Sequence, residues 1–249
     1  MLLPRQVMTS QDATLLQRTF DTVDALATLN DPEAIFALTS KQFAQFGFSA
    51  FVLSRLPHTT NDVTPFILMN GWPDAWTERY LEAQHYDSDP LRRHCMSTDQ
   101  TFSWREIPKP LTSDPRAAAV LAEAPAFGLN DGLCVPLHTR FGVGGLSLSG
   151  AAIEDTPAMR SMVRLLSFYV CEAIERSDKL RAHVAQLTPR ERDVLSWVAI
   201  GATGPEIAAT LGISEYTVAD HLRNARAKLG ARNNAHSVAV ALRSGQISI

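Results

Sequence analysis

The sequence predicts an α+β protein in two parts. The N-terminal part reads as an α/β/α sandwich on an antiparallel sheet, and the C-terminal part as a four-helix domain with a helix-turn-helix at its centre. Three observations predict this. Extended segments come in two pairs, each joined by turn residues and too close together for a helical crossover. Helical segments flank both pairs, in the order α-α-β-β-α-α-α-β-β-α, which places helices on the faces of an antiparallel sheet. Residues 187–249 then hold four capped helical segments and no strand.

In the N-terminal part, Ser10 to Leu29 carries Leu15, Leu16, Phe20, Val23, Leu26 and Leu29 at helical spacing. Asp31-Pro32-Glu33 opens a second helix, with Ile35, Phe36, Leu38, Phe43 and Phe46 apolar, and Gly47 closes it. Ala50 to Leu56 is a strand, His58 to Val63 a polar hairpin loop and Phe66 to Met69 the returning strand. Asn70-Gly71 turns the chain, and Pro73 starts a helix with Trp76 and Tyr80 one turn apart on one face. Asp87-Ser88-Asp89-Pro90 caps a short helix through His94, and Trp104 falls in a short extended piece. Ile107 to Pro115 reads as a loop and Pro115 to Phe127 as a helix. Gly132 to Leu137 and Gly144 to Ser149 are strands around a glycine-containing turn. Thr156-Pro157 begins a long helix running towards Ala185. Its stripe of Met159, Met162, Val163, Leu166, Val170 and Ile174 suits either its own core or a dimer interface.

The C-terminal part opens on Thr188-Pro189-Arg190-Glu191, a capping box with proline at the first helical position. That helix continues through Val194, Leu195, Trp197, Val198 and Ile200 to Gly201. Glu206 to Leu211 is a second helix, stopped by Gly212, and Ser214 caps a third that runs to about Leu229. The third helix turns Val218, Leu222, Ala225 and Leu229 inward. Its other face carries Thr217, His221, Arg223, Asn224, Arg226 and Lys228. A helix buried on one side and set with bidentate donors on the other suits a DNA major groove: arginine and asparagine can read base edges, while lysine and further arginines hold phosphates. A last helix, about Asn234 to Ser244, packs through Val238, Ala239, Ala241 and Leu242.

The domain boundaries follow as 1–178, a linker at 179–186 and 187–249. Among 249 residues, 45% are hydrophobic and 20% charged, the balance of a soluble globular chain with apolar residues enough for two cores. The net charge of -3 argues against a general nucleic-acid coat, but it is unevenly spread. Residues 180–249 carry eight basic and five acidic side chains, and the acidic surplus lies in the rest, which fits DNA binding by one end. Cys95, Cys134 and Cys171 have no metal-ligand spacing and read as reduced, buried thiols of a cytoplasmic protein. A signal pattern and an apolar run of membrane-spanning length are both missing, so neither secretion nor membrane insertion is expected.

Trp72, Trp76, Tyr80 and Trp104, with Asp89, form an unusual aromatic group with one carboxylate. It reads either as a small-molecule pocket with a few fixed polar groups or as an ordinary core whose indoles and phenol find local partners, and composition alone favours the core. Other chemistry is weakly signalled. Gly145-Leu-Ser147-Leu-Ser149 lacks the last glycine of a nucleophile elbow and alternates like a strand. Gly142-Val-Gly144-Gly145 leads into a strand, so a hairpin turn explains it better than a phosphate loop. His85, His94 and Cys95 lack the spacing of a metal site. No enzyme, metal or cofactor is expected.

The stretch LTPRERDVLSWVAIGATGPEIAATLGISEYTVADHLRNARAKLGARN resembles the LuxR-type helix-turn-helix, with Glu191, Leu195, Gly201, Ile207, Val218, Leu222 and Gly230 in the family's pattern. It departs at Ala219 and Asp220, where many relatives carry bulky or basic residues. Trp76-x3-Tyr80-x8-Asp89-Pro90-x13-Trp104, followed by Gly132, is similar to the autoinducer-binding domain of LuxR-type quorum-sensing regulators. The resemblance implies a homodimeric, ligand-responsive transcription factor for an inverted-repeat site on double-stranded DNA, its autoinducer an acyl- or aryl-homoserine lactone. It also implies roles. Trp76 would donate to the lactone carbonyl, Asp89 would accept the ligand amide N–H, and Tyr80 and Ser147 would bind the acyl carbonyl. Trp104 would pack on the lactone ring, and Gly132 would stand where no side chain fits. Trp72 occupies a position often held by Tyr and would shorten or flatten the acyl channel. The alternatives are an orphan regulator sensing a non-lactone plant or host molecule, and a regulator controlled by phosphorylation. The second lacks the acidic pair and the lysine that a receiver domain places at strand ends.

Overall fold

A computed structural model describes residues 10–57, 62–139, 142–151, 153–177 and 185–248. They belong to two compact units divided near Leu180. Most of the loop expected at His58–Val63 and of the linker expected at 179–186 lies outside the described residues.

The N-terminal unit begins with two helices, α1 (Ser10–Thr28) and α2 (Pro32–Gln45). The Asp31 carboxylate caps α2 by accepting from the Ala34 N–H at 2.9 Å, and Pro32 fills the first turn, where no N–H is needed. Strands β1 (Ala50–Arg55) and β2 (Ile67–Asn70) follow. Helices α3 (Asp74–Glu82) and α4 (Pro90–Cys95), strand β3 (Phe102–Ser103) and helices α5 (Lys109–Thr112) and α6 (Pro115–Glu123) come next. The unit ends with β4 (Asp131–Thr139), β5 (Gly142–Gly150) and α7 (Pro157–Arg176). The strands form one five-stranded antiparallel sheet in the order β2-β1-β5-β4-β3.

The sheet is covered on both faces, and the pleat decides which residue faces which layer. Phe51 and Leu53 of β1, Leu133, Val135 and Leu137 of β4, and Leu146 and Leu148 of β5 pack on α1, α2 and α7. Leu26, Ile35, Phe43, Val163, Leu166 and Ile174 complete that core, each almost fully buried. Burying one such side chain contributes about 1.5–3 kcal/mol. The whole apolar stripe of α7 is spent here, so it does not supply a dimer interface. Arg176 ties the end of α7 to α1 by donating to the Leu26 carbonyl at 2.6 Å. The intervening residues Val52, Ser54, Cys134, Gly145 and Ser147 face the other layer, built from α3 to α6.

Four sequence expectations for this unit need correction. Trp104 opens a 3-10 turn (Trp104–Glu106) directly after the two-residue strand β3, because Ser103 and Glu106 form a capping box that bends the chain there. The expected loop at Ile107–Pro115 contains α5, too short to show a period. The helix expected to reach Phe127 tightens to a 3-10 turn after Glu123. The long helix stops at Arg176, where Ser177 adopts a non-helical ψ of 140°.

In the C-terminal unit, α8 (Pro189–Ala199), α9 (Gly204–Leu211), α10 (Glu215–Lys228) and α11 (Asn234–Arg243) pack around Leu195, Ala225, Val240 and Ala241. Val194, Ile207, Ala208 and Val218 form a second cluster beneath the turn. Helix α9 starts two residues before its expected position, because Thr203 and Glu206 make a second capping box. Gly212 ends it at φ +66°, a left-handed conformation that favours glycine.

Candidate functional site: a buried aromatic cavity and an exposed helix

The N-terminal cavity is assembled from elements far apart in sequence. Helix α3 presents Trp76 and Tyr80, both buried, with ring centroids 5.8 Å apart. Trp72, just before α3, stands 5.1 Å from the Tyr80 ring, and Phe127 closes on Trp76 at 5.2 Å. Val52, Ser54, Cys134, Gly145 and Ser147 form the sheet side, and the register sets Val52 opposite Ser147 and Ser54 opposite Gly145. The cavity measures about 80 Å³, several times the room that one water needs.

The polar groups are few and fixed. Asp89 is the N-cap of α4, and its Oδ1 accepts from the backbone N–H of Leu91 at 2.8 Å and of Arg92 at 3.4 Å. The Tyr80 hydroxyl donates to Asp89 Oδ2 at 2.7 Å. Burial pushes the Asp89 carboxyl above the usual carboxylate range, against the pull of these donors, and burial together with the Asp89 charge pushes the Tyr80 phenol well up. Trp104 is half-buried on the cavity wall. Its indole N–H is shut off from solvent and meets no acceptor among the described residues. Opposite stands Gly132, where a Cβ would fall inside the Leu148 carbonyl oxygen and 2.5 Å from Trp104 Cε2. Only glycine leaves that indole its place.

In the C-terminal unit, the Ser214 hydroxyl caps α10 by accepting from the Thr217 N–H at 3.0 Å. Val218 and Ala225 are buried, as expected, and Leu222 is half-buried. Arg223 and Asn224 are exposed, whereas Thr217, His221, Arg226 and Lys228 are half-buried. Arg223 lies 2.7 Å from Asp220 in an ion pair without hydrogen-bond alignment. Lys228 donates to Glu191 Oε2 at 2.8 Å, the same oxygen that accepts the Thr188 N–H in the capping box of α8.

Comparison with known proteins settles the kinship of both units. Residues 31–174 match the autoinducer binding domain, and residues 185–241 match the luxR family of bacterial regulatory proteins. The HTH-type quorum sensing-dependent transcriptional regulator RpaR of Rhodopseudomonas palustris is 35% identical over 94% of this chain and 96% of its own. The transcriptional activator protein BjaR1 of Bradyrhizobium diazoefficiens is 33% identical over 85% and 88%. The chain belongs to the LuxR family. The crystal structure of Escherichia coli SdiA shares the fold, with a TM-score of 0.74 at 24% identity over 96% of this chain and 99% of that one.

This LuxR-type regulator therefore joins an autoinducer-binding domain to a helix-turn-helix DNA-binding domain. Trp72, Trp76, Tyr80, Asp89, Trp104 and Ser147, singled out from sequence, all line one cavity. Sequence reasoning missed Ser54, Val63, Ile67, Tyr86 and Leu129 on the same wall. Only Ser54 had a usable signal, a polar residue two places from Val52 directly after the apolar run Ala50 to Leu53. It also missed the support behind the aromatics. His85 is buried 5.8 Å from both the Trp76 and Tyr80 rings and faces Glu123 at 3.3 Å, and Arg79 holds Glu123 with two bonds of 2.6 and 3.1 Å.

Proposed function

We propose that this LuxR-type regulator senses an acyl- or aryl-homoserine lactone in the N-terminal cavity. It then acts in the cytoplasm as a homodimer on an inverted-repeat DNA site. The carrying observation is the buried Tyr80–Asp89 pair at 2.7 Å in a cavity lined mainly by aromatic and apolar side chains. An apolar cavity with one carboxylate suits a neutral amphiphile that brings an amide N–H donor and an apolar tail. Asp89 Oδ2, already bonded to Tyr80, keeps a lone pair for that N–H. Tyr80 has a single hydroxyl proton, so donating it to the acyl carbonyl means leaving Asp89, and the ligand amide replaces it there. Trp76 donates to the lactone carbonyl, Trp104 packs on the ring, Ser147 assists at the acyl carbonyl and Trp72 limits the tail.

In the C-terminal domain the proposed DNA contacts are Thr217, His221, Arg223, Asn224, Arg226 and Lys228. Arg223 and Asn224 carry base recognition. Lys228 is held by Glu191, which makes it a minor phosphate contact. One such helix covers only a few base pairs, so two copies related by a two-fold axis read half-sites about one helical turn apart. The domains are proposed as 1–178 and 187–249, with 179–186 linking them.

Mass spectrometry of organic extracts from the purified protein tests the ligand class. A stoichiometric homoserine lactone supports it. A stoichiometric small molecule of another class, on a protein that still binds a specific duplex, replaces it with an orphan regulator of a plant or host signal.

A further inference from the structure

The exposed face of α10 is not centred where the spacing of its basic residues puts it. Val218, Leu222, Ala225 and Leu229 fix the inward direction. At 100° per residue, the opposite direction runs through Tyr216, Asp220, Arg223 and Ala227, which repeat the same spacing of four, three and four. Exposure agrees: Tyr216, Ala219, Arg223, Asn224 and Ala227 are open, while Thr217, His221 and Lys228 sit half-buried on one flank. Tyr216, at 74% exposure, is the most exposed of the large hydrophobic side chains among the described residues.

We infer that Tyr216 is a base-reading residue that sets the preference at one base pair of each half-site. This rests on the DNA-binding reading of α10. The partner is double-stranded DNA, and the chemistry is a phenol ring laid on a thymine methyl group in the major groove. Side chains near the N-terminus of a recognition helix reach base edges, and in the first turns of α10 the alternatives are poor. Glu215 is repelled by phosphates, and the Thr217 hydroxyl is shared with Ser214 at 2.8 Å. Ala219 offers only a methyl group and needs the groove floor closer than a phenol does, and Asp220 faces Arg223. Tyr216 alone combines length, exposure and an apolar face.

The test is selection of binding duplexes from a randomised pool by the full-length protein. It compares wild type, Tyr216→Ala and Tyr216→Phe, all purified with the homoserine lactone that most raises the wild-type thermal midpoint. Tyr216→Ala should lose the preference at one thymine-containing pair per half-site and bind the wild-type consensus roughly ten-fold more weakly. Tyr216→Phe should keep that preference. Replacing the thymine by uracil should weaken wild type and leave Tyr216→Ala unaffected. Identical consensus and affinity for wild type and Tyr216→Ala would overturn the inference and leave an exposed ring for a protein contact. So would a uniform loss with preferences intact, which marks a phosphate contact. A wild type that enriches no sequence would overturn the DNA-binding reading itself, a distinguishable failure.

Discussion

At the scale of single residues, the cavity concentrates its chemistry in Asp89, and its double duty makes one substitution informative. Asparagine keeps the N-cap of α4 but removes the charge. Asp89→Asn should therefore fold, yet bind the lactone about ten- to hundred-fold more weakly by calorimetry, since a hydrogen bond to a charged group contributes roughly 1.5–3 kcal/mol. The pH dependence follows from burial. Because the Asp89 carboxyl lies above the ordinary range, its carboxylate fraction falls earlier on acidification than that of an exposed aspartate. Lactone affinity should decline as pH drops towards that raised value and hold steady above it, and Asp89→Asn should lack the decline. Gly132→Ala is the opposite kind of test. Its methyl meets the Leu148 carbonyl and the Trp104 ring, so strand and indole cannot both stay. Loss of lactone-induced thermal stabilisation is expected, and an unchanged shift would show that Trp104 moves freely. Trp76, Tyr80, Asp89 and Trp104 stood out in the sequence as an aromatic group with one carboxylate, but composition favoured a core and only family likeness pointed to a pocket. Gly132 was legible only through family likeness, because a forbidden Cβ leaves no mark in composition. His85 behind the aromatics was not legible at all, since its role depends on Glu123 arriving from α6.

At the scale of elements, local signals carried the reading where caps and periods were strong. Asp31, Thr156, Thr188 and Ser214 all cap the helices expected of them. The misses lie where tertiary contact decides. Strand β3 has two residues and exists only by pairing Phe102 and Ser103 with Cys134 and Leu133. Spacing alone also hides the partner of Lys228, the Glu191 carboxylate of α8. That pairing carries its own expectation. Burial would raise the Glu191 carboxyl, but the Lys228 ammonium and the Thr188 donors outweigh it and hold the group below its usual range. A carboxyl depressed on folding stabilises above its unfolded value near 4.3, and the contribution is lost as pH falls through the folded value. Glu191→Ala removes the ion pair and the capping-box bond together. It should cost the DNA-binding domain about 1.5–3 kcal/mol at neutral pH in denaturant titrations. Lys228→Met should show part of that loss, and wild-type behaviour in both would make the clamp incidental.

At the scale of the whole molecule, one chain joins an autoinducer-binding domain with a cavity to a helix-turn-helix domain with an exposed helix. The N-terminal sheet divides the work: its α1–α2–α7 face is solid core, and its α3–α6 face keeps a cavity. No helix among the described residues is long and apolar enough to cross a membrane. With the α7 stripe consumed by that core, the proposed dimer would use other surface, and light scattering should find a dimer on cognate DNA. A ligand that binds only the folded state raises the thermal midpoint with concentration. The most direct measurement is thus a thermal-shift and calorimetry panel of homoserine lactones against wild type, Asp89→Asn and Trp76→Phe. At least one lactone should stabilise wild type and bind both variants about ten- to hundred-fold more weakly. The reading is contradicted if no lactone of any chain type stabilises wild type, or if one does and both variants bind it unchanged.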